Sequence, residues 1–284
     1  MDRDIIIVAE GGGMTVGFGA GVVEAIQKQH IYSRIHSLYG SSAGAHDLAY
    51  FLSKQSDLGG SISIENLNRN KFIHKNKIEK FIKAIILGKR YNLMDLDYLI
   101  NVEEHIKRLD IHSIKNSPIE LYFRVFNLNK FKSEIINGKE HTFNGLIASS
   151  ACIPYYNKPV EINKNFYIDG SYMVTESFEN LIIKNKDKKF IYIINHRQSL
   201  SYALVRLPTR FFESLLIWRL YGLRLAFKYI ATLDIIDLNK LKKHKNVILV
   251  VNNLNNDPAC TNTEKLIKLF NYGKEQGEKA VAYL

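Results

Sequence analysis

At 284 residues, with 46% hydrophobic and 24% charged side chains and only 5 Pro and 17 Gly, the chain can bury a large core and is neither disordered, collagen-like nor of low complexity. The excess of 39 Lys and Arg over 28 Asp and Glu, a formal +11, favours anionic partners such as nucleic acid, phospholipid head groups or acidic metabolites, and Lys-, Ile- and Asn-rich coding explains it about as well. Two cysteines, Cys152 and Cys260, are too few for a disulfide framework or a four-thiolate zinc site, which suits a reducing compartment.

In chain order, residues 5–9 (IIIVA) form a short β-branched apolar run ended by Gly11 to Gly13, the pattern of a buried parallel strand. Residues 16–29 read as a helix packed by Val22, Val23 and Ile26, 35–39 as a second strand ending at Gly40, and 43–54 as a second helix. This is a right-handed βαβ unit with two special turns at the carboxyl ends of neighbouring strands, where open α/β sheets place their sites. Residues 55–116 are polar and rich in Lys and Asn, with a helical segment over 78–87, and read as a solvated surface insertion or a lid.

A hairpin is expected from 120–127 and 131–137 around "LNK", then a helix over 142–150 and strands over 166–168, 190–195 and 247–251, with a closing helix over 263–283. The stretch 204–229 mixes Leu, Phe, Tyr and Trp218 with Arg206, Arg210, Arg219, Arg224 and Lys228. It reads either as helices covering the sheet with basic residues in solvent or as a basic amphipathic surface for anionic bilayers. Charges at Glu213, Arg219, Arg224 and Lys228 interrupt residues 211–230, the most apolar long stretch, so no membrane span is expected. No secretory signal is expected at the start of the chain, and export by a signal-independent route stays open. Without repeats or a flexible linker, one α/β domain over 1–284 is expected.

Chemistry is signalled at three places. Gly40-Ser41-Ser42-Ala43-Gly44 is a G-x-S-x-G pentapeptide where a strand turns into a helix, and it selects Ser42 as a nucleophile on a strained turn. Glu10-Gly11-Gly12-Gly13-Met14 follows the adjacent strand and opens a helix, so its backbone N–H groups can converge on an oxyanion. A dinucleotide fingerprint fails there because Val16 holds the last glycine position, and no Gly-Lys-Ser/Thr follows to make a phosphate loop. Asp169, after a short apolar strand and before Gly170, can project a carboxylate into a cleft as a base for Ser42. His46, one turn after Ser42, suits a surface or packing role, and His196 and His244 lack a distinctive local setting.

Glycine loop, serine elbow and Asp-Gly turn, in that order, resemble the patatin-like phospholipase family. "EGGGMTVGFGAGVVEAI" is similar to its glycine loop and first helix, "YGSSAGAHDLAYFL" to its elbow, and "ASSACIPYYNKPVEINKNFYIDGSYM" to its approach to the acid, most like the compact bacterial branch. The resemblance implies a three-layer fold with a central, mostly parallel sheet between helices. It also implies a Ser42–Asp169 dyad that cleaves lipid carboxylic esters through an acyl-enzyme, in phospholipase A or lysophospholipase fashion, with an oxyanion hole at Gly12, Gly13 and Met14. Gly11, Gly40, Gly44 and Gly170 support the motifs.

Where the family carries a basic residue and then Gly after the loop, this chain has Thr15 and Val16, and Ser171 replaces a smaller residue of the acid motif. The chemistry needs no metal or cofactor, and the expected partners are an acyl-ester substrate and peripheral contact with anionic membrane in the cytoplasm, without nucleic acid. Two alternatives stay open: a lipid- or acyl-binding protein of the same fold that has lost turnover, and a nucleotide- or nucleic-acid-binding module.

Overall fold

A computed structural model describes all residues except 1–2, 68–71, 73–78, 80–81, 84–85, 88–91, 172–177, 197–199, 232–237 and 255–257, and except the side chains of 200–206. Strand β1 (Ile5–Ala9) lies between β2 (Ile35–Ser41) and β7 (Lys189–Ile194), parallel to both, which is why all five of its residues are apolar and buried. The full sheet runs β5 (Val160–Ile162), β6 (Asn165–Asp169), β3 (Glu120–Asn127), β2, β1, β7, β8 (Val247–Val251), and β4 (Lys132–Asn137) pairs with β3.

Because side chains alternate across a strand, β1 feeds two cores. Ile5 and Ile7 meet Phe18, Val22 and Ile26 of the helix Gly17–Gln27, Leu48 and Phe51 of the helix Ala43–Leu52, and Leu266 and Leu269 of the helix Thr263–Ala282. Ile6 and Val8 meet Phe190, Tyr192, Ile194 and Leu241 on the other face. A mixed α/β sheet flanked by helices is thus the observed architecture. No helix among the described residues is long and apolar enough to cross a membrane.

The insertion departs from expectation. Much of the helix expected over 78–87 lies outside the described residues. Around it the described segments are not a solvated surface: Leu67, Phe72, Leu96, Leu99, Val102 and Ile114 are buried in the main core. The apolar 96, 99, 100 and 102 sit at helical spacing within a polar composition, so one face packs while the Lys and Asn residues stay outside. The first helix starts at Gly17 because Gly13–Val16 make a 3-10 turn, with Gly13 at a φ of +55. The expected helix pair over 204–229 is present as Leu200–Tyr221 and Leu223–Ala231, broken at Gly222, whose φ of +93 suits only glycine well.

Strand β3 brings the candidate residues together. β4 occupies one of its edges along 122–127, so β2 and β6 share the other. Parallel β2 ends with Ser41 opposite Arg124, and antiparallel β6 ends with Asp169 opposite Val125. The carboxyl ends of two strands therefore meet at consecutive residues of a third.

Candidate active site

Ser42 follows β2 at φ 51 and ψ −129, a conformation that costs a non-glycine residue of order 1–3 kcal/mol and persists only when its surroundings impose it. The surroundings are visible. A Cβ on Gly40 would lie 2.4 Å from the Ala45 Cα, and one on Gly44 would lie 2.5 Å from the Ala9 carbonyl oxygen, so the turn closes this tightly only with glycine at both places. The Ser42 N–H donates to the Ser149 hydroxyl at 2.8 Å, and that hydroxyl donates to the Arg124 carbonyl at 2.9 Å. Ser41 is fully buried, its hydroxyl 2.8 Å from that of Ser171, whereas Ser42 is half-buried.

Asp169 is buried at the end of β6, its N–H donating to the Ala151 carbonyl at 3.1 Å. Burial pushes its carboxyl up to about 6. Opposing that rise are the Ser171 N–H, which donates to Oδ1 at 2.7 Å, the hydroxyls of Ser42 and Ser171, and the charge of Arg124. Oδ2 is buried without a hydrogen-bond partner among the described residues, so the Ser42 hydroxyl acts on this carboxylate without closing a bond to Oδ2 in the present conformation. Gly170 lets the turn after Asp169 lie on Arg124, whose backbone a Cβ there would meet at 2.8 Å.

The glycine loop crosses directly over the elbow: a Cβ on Gly11 would lie 2.9 Å from the Ser42 Cβ. Of the three expected donors, the Met14 N–H is already committed, donating to the Pro258 carbonyl at 2.8 Å, because the loop turns into its 3-10 segment against that chain. Gly11, Gly12 and Gly13 make no backbone N–H hydrogen bond among the described residues, which moves the free donors one residue toward the strand. Thr15, the departure from the family pattern, fastens the loop from within: its hydroxyl and its N–H both donate to the Gly12 carbonyl, at 2.7 and 3.1 Å.

A buried ion pair joins the loop to β3. The Arg124 guanidinium donates with both terminal nitrogens to the Glu10 carboxylate, at 3.0 and 3.1 Å, and lies 3.5 Å from the Phe178 ring centroid. The Tyr192 hydroxyl donates to the same carboxylate. Glu10 starts the loop and Arg124 sits opposite Ser41, so one pair braces loop, elbow and acid strand. Arg124 and Ser149 escaped the sequence reading. A charged residue inside an otherwise apolar strand, "LYFRVF", is the available signal for the first, and a serine on a small-residue helix offers none for the second.

The histidines divide. Both ring nitrogens of buried His46 are engaged, Nδ1 with Glu103 at 2.6 Å and Nε2 with the Ser150 hydroxyl at 2.9 Å, which is a packing role and not a surface one. His244 lies 3.7 Å from Glu179, away from the elbow. His196 has a more distinctive setting than expected: it follows β7 beside the glycine loop, where a Cβ on Gly12 would lie 3.5 Å from its own Cβ.

The family profile described as patatin-like phospholipase matches residues 7–178, more than half of the chain and all three motifs. Among curated proteins none matches significantly. Similar solved structures include VipD from Legionella pneumophila, 13% identical with a TM-score of 0.47, covering 100% of this chain and 67% of that one. ExoU, in its heterodimeric complex with SpcU from the type III secretion system of Pseudomonas aeruginosa, is 13% identical with a TM-score of 0.41, covering 99% of this chain. The type III effector ExoU in a further structure is 11% identical with a TM-score of 0.43. The chain spans about half the length of ExoU, 52% and 53% in these two structures.

Proposed function

The chain belongs to the patatin-like phospholipase family, and from that premise we propose that it is a serine acyl hydrolase of lipid carboxylic esters, working by a Ser42–Asp169 dyad at a cytoplasmic membrane surface. The observation that carries this reading is the junction on β3, where a serine on a strained, left-handed turn and a buried carboxylate raised to about 6 end two strands that pair with consecutive residues of β3. A desolvated carboxylate is a stronger base than one in water, and at neutral pH it is still ionised.

In the proposed reaction the Ser42 Oγ attacks the ester carbonyl carbon while Asp169 takes the hydroxyl proton. The negative charge on the carbonyl oxygen falls to the N–H groups of Gly11, Gly12 and Gly13. The carbon–oxygen bond to the alcohol then breaks, Asp169 returns the proton to the leaving oxygen, and the acyl group stays on Ser42. Water, deprotonated by Asp169, attacks the acyl carbonyl; the bond to Ser42 Oγ breaks, Asp169 returns the proton to Oγ, and the fatty acid leaves.

Hydrolysis of phospholipid in mixed micelles tests the reading. Ser42→Ala and Asp169→Asn should each lower turnover by at least about a thousandfold, the scale of losing a nucleophile or its base, while His46→Ala, His196→Ala and His244→Ala retain most of it. A histidine variant as inactive as Asp169→Asn would return the reaction to a triad. Ester binding without turnover in the unaltered protein would favour the binding-protein alternative, which the committed Met14 N–H and the Thr15-fastened loop make concrete.

A further inference from the structure

Large apolar side chains stand out of the surface in one place more than elsewhere. Leu207, Phe211, Phe212 and Trp218 on the helix Leu200–Tyr221, and Leu223, Phe227 and Ile230 on the helix Leu223–Ala231, are each between 43% and 64% exposed. Residues 207, 211 and 218, and residues 223, 227 and 230, recur at helical spacing, so each helix shows a continuous apolar stripe. A monomeric soluble surface rarely concentrates aromatic groups this way without a partner.

Along the two helices themselves the outward charges of the described residues have one sign. Between residues 200 and 231 the only acidic residue is Glu213, and it is buried, with the hydroxyls of Tyr155 and Tyr229 donating to it. Arg210 is also buried, its guanidinium on the Tyr229 carbonyl. Arg219 and Arg224 are exposed at the junction of the two helices, Lys228 is half-buried beside Phe227, and the Arg224 guanidinium lies 3.9 Å from the Phe131 ring. Exposed Phe, Trp and Leu with Arg and Lys and no outward acid is the chemistry of a helix lying at an anionic bilayer surface. A second copy of this chain would meet the face with the same cations and carry a further +11, which disfavours self-pairing.

The inner side of the same helix pair leads to the site. Ile217, Leu225, Ala226 and Tyr229 pack on Phe126, Ile153 and Ile168, and Ile168 immediately precedes Asp169. One helix thickness, about 10 Å, therefore separates the apolar stripes from the strand that carries the acid.

We propose that the Leu200–Tyr221 and Leu223–Ala231 helices are the docking face for an anionic phospholipid bilayer, with Phe211, Trp218 and Phe227 entering the interface and Arg219 and Arg224 at the head groups. This deepens the hydrolase reading and rests on it only for the substrate delivered there. The test uses the full chain with Ser42→Ala, so that released fatty acid cannot disturb the vesicles and docking is read whether or not the protein is an enzyme.

With phosphatidylcholine vesicles containing phosphatidylserine, co-sedimentation and a blue shift of Trp218, the only tryptophan, are expected, weakening as salt rises and absent with phosphatidylcholine alone. Adding Phe211→Glu or Phe227→Glu should weaken binding about tenfold or more each, the scale set by one buried aromatic side chain. Ile267→Glu, an exposed position on the Thr263–Ala282 helix, should leave binding unchanged, and thermal melting checks that each variant is folded. Equal loss with Ile267→Glu, no binding at low salt, or a dimer in sedimentation equilibrium that Phe211→Glu dissociates would overturn the proposal.

Discussion

Asp169 carries the sharpest consequence at the scale of single residues. Burial raises its folded-state value to about 6 from the ordinary 3.8, so the ionised base forms only as pH rises through that region, and kcat/KM should show an acidic limb centred near pH 6. The same shift acts on stability with the opposite preference. A carboxyl raised on folding favours the folded state below about pH 4, and that contribution is lost as pH rises through about 6, at a cost of about 3 kcal/mol. Asp169→Asn should thus melt higher than the unaltered protein at pH 8, with little difference at pH 4, while losing activity. Melting curves at the two pH values check it; a variant less stable at pH 8 would mean the carboxylate is satisfied and not desolvated. In the proposed reaction Ser149 is a positioning residue. Ser149→Ala removes the acceptor for the Ser42 N–H and the donor to the Arg124 carbonyl, which should cost about 1–3 kcal/mol of stability and lower kcat about ten- to a hundredfold with KM little changed. Rescue by Ser149→Thr, which restores the hydroxyl, separates positioning from packing.

Helices and strands transmit these residues' positions. The glycine loop is held from behind by the packing of Gly17–Gln27 on Thr263–Ala282, backbone to backbone: a Cβ on Gly273 would lie 2.0 Å from the Phe18 carbonyl oxygen, and one on Gly21 would lie 2.1 Å from that of Phe270. Gly273→Ala should part the two helices and destabilise the fold by about 3 kcal/mol, the upper end of overpacking costs, which thermal or urea unfolding would measure. Glu10→Gln is expected to cost about 3–5 kcal/mol, because it leaves the Arg124 guanidinium buried without its counter-charge. At this scale the sequence was legible where its pattern was local. IIIVA, the serine elbow, the hairpin around LNK and the strand before Asp169 were placed within a few residues, since alternation, glycine and β-branching act over short spans. The edge that β3 lends to both β2 and β6 was not legible, because register across a sheet is decided by packing far apart in the chain. Nor was the core contribution of residues 93–114, whose apolar stripe is diluted by Lys and Asn on the outer face.

Across the whole molecule, two unequal surfaces follow from one composition. The +11 charge and the exposed aromatic stripes on the paired helices lie outside, while the site within is closed around glycine backbone and one buried ion pair. That arrangement suits the proposed hydrolase, which would meet its substrate at an interface. Everything in this reading depends on Ser42 being the group that becomes acylated. The direct measurement is covalent labelling with a fluorophosphonate, followed by intact mass and identification of the modified peptide. One adduct per chain is predicted, on Ser42, unchanged in Ser41→Ala and absent in Ser42→Ala. An adduct on another residue, or none on a folded, unaltered chain, would contradict the account.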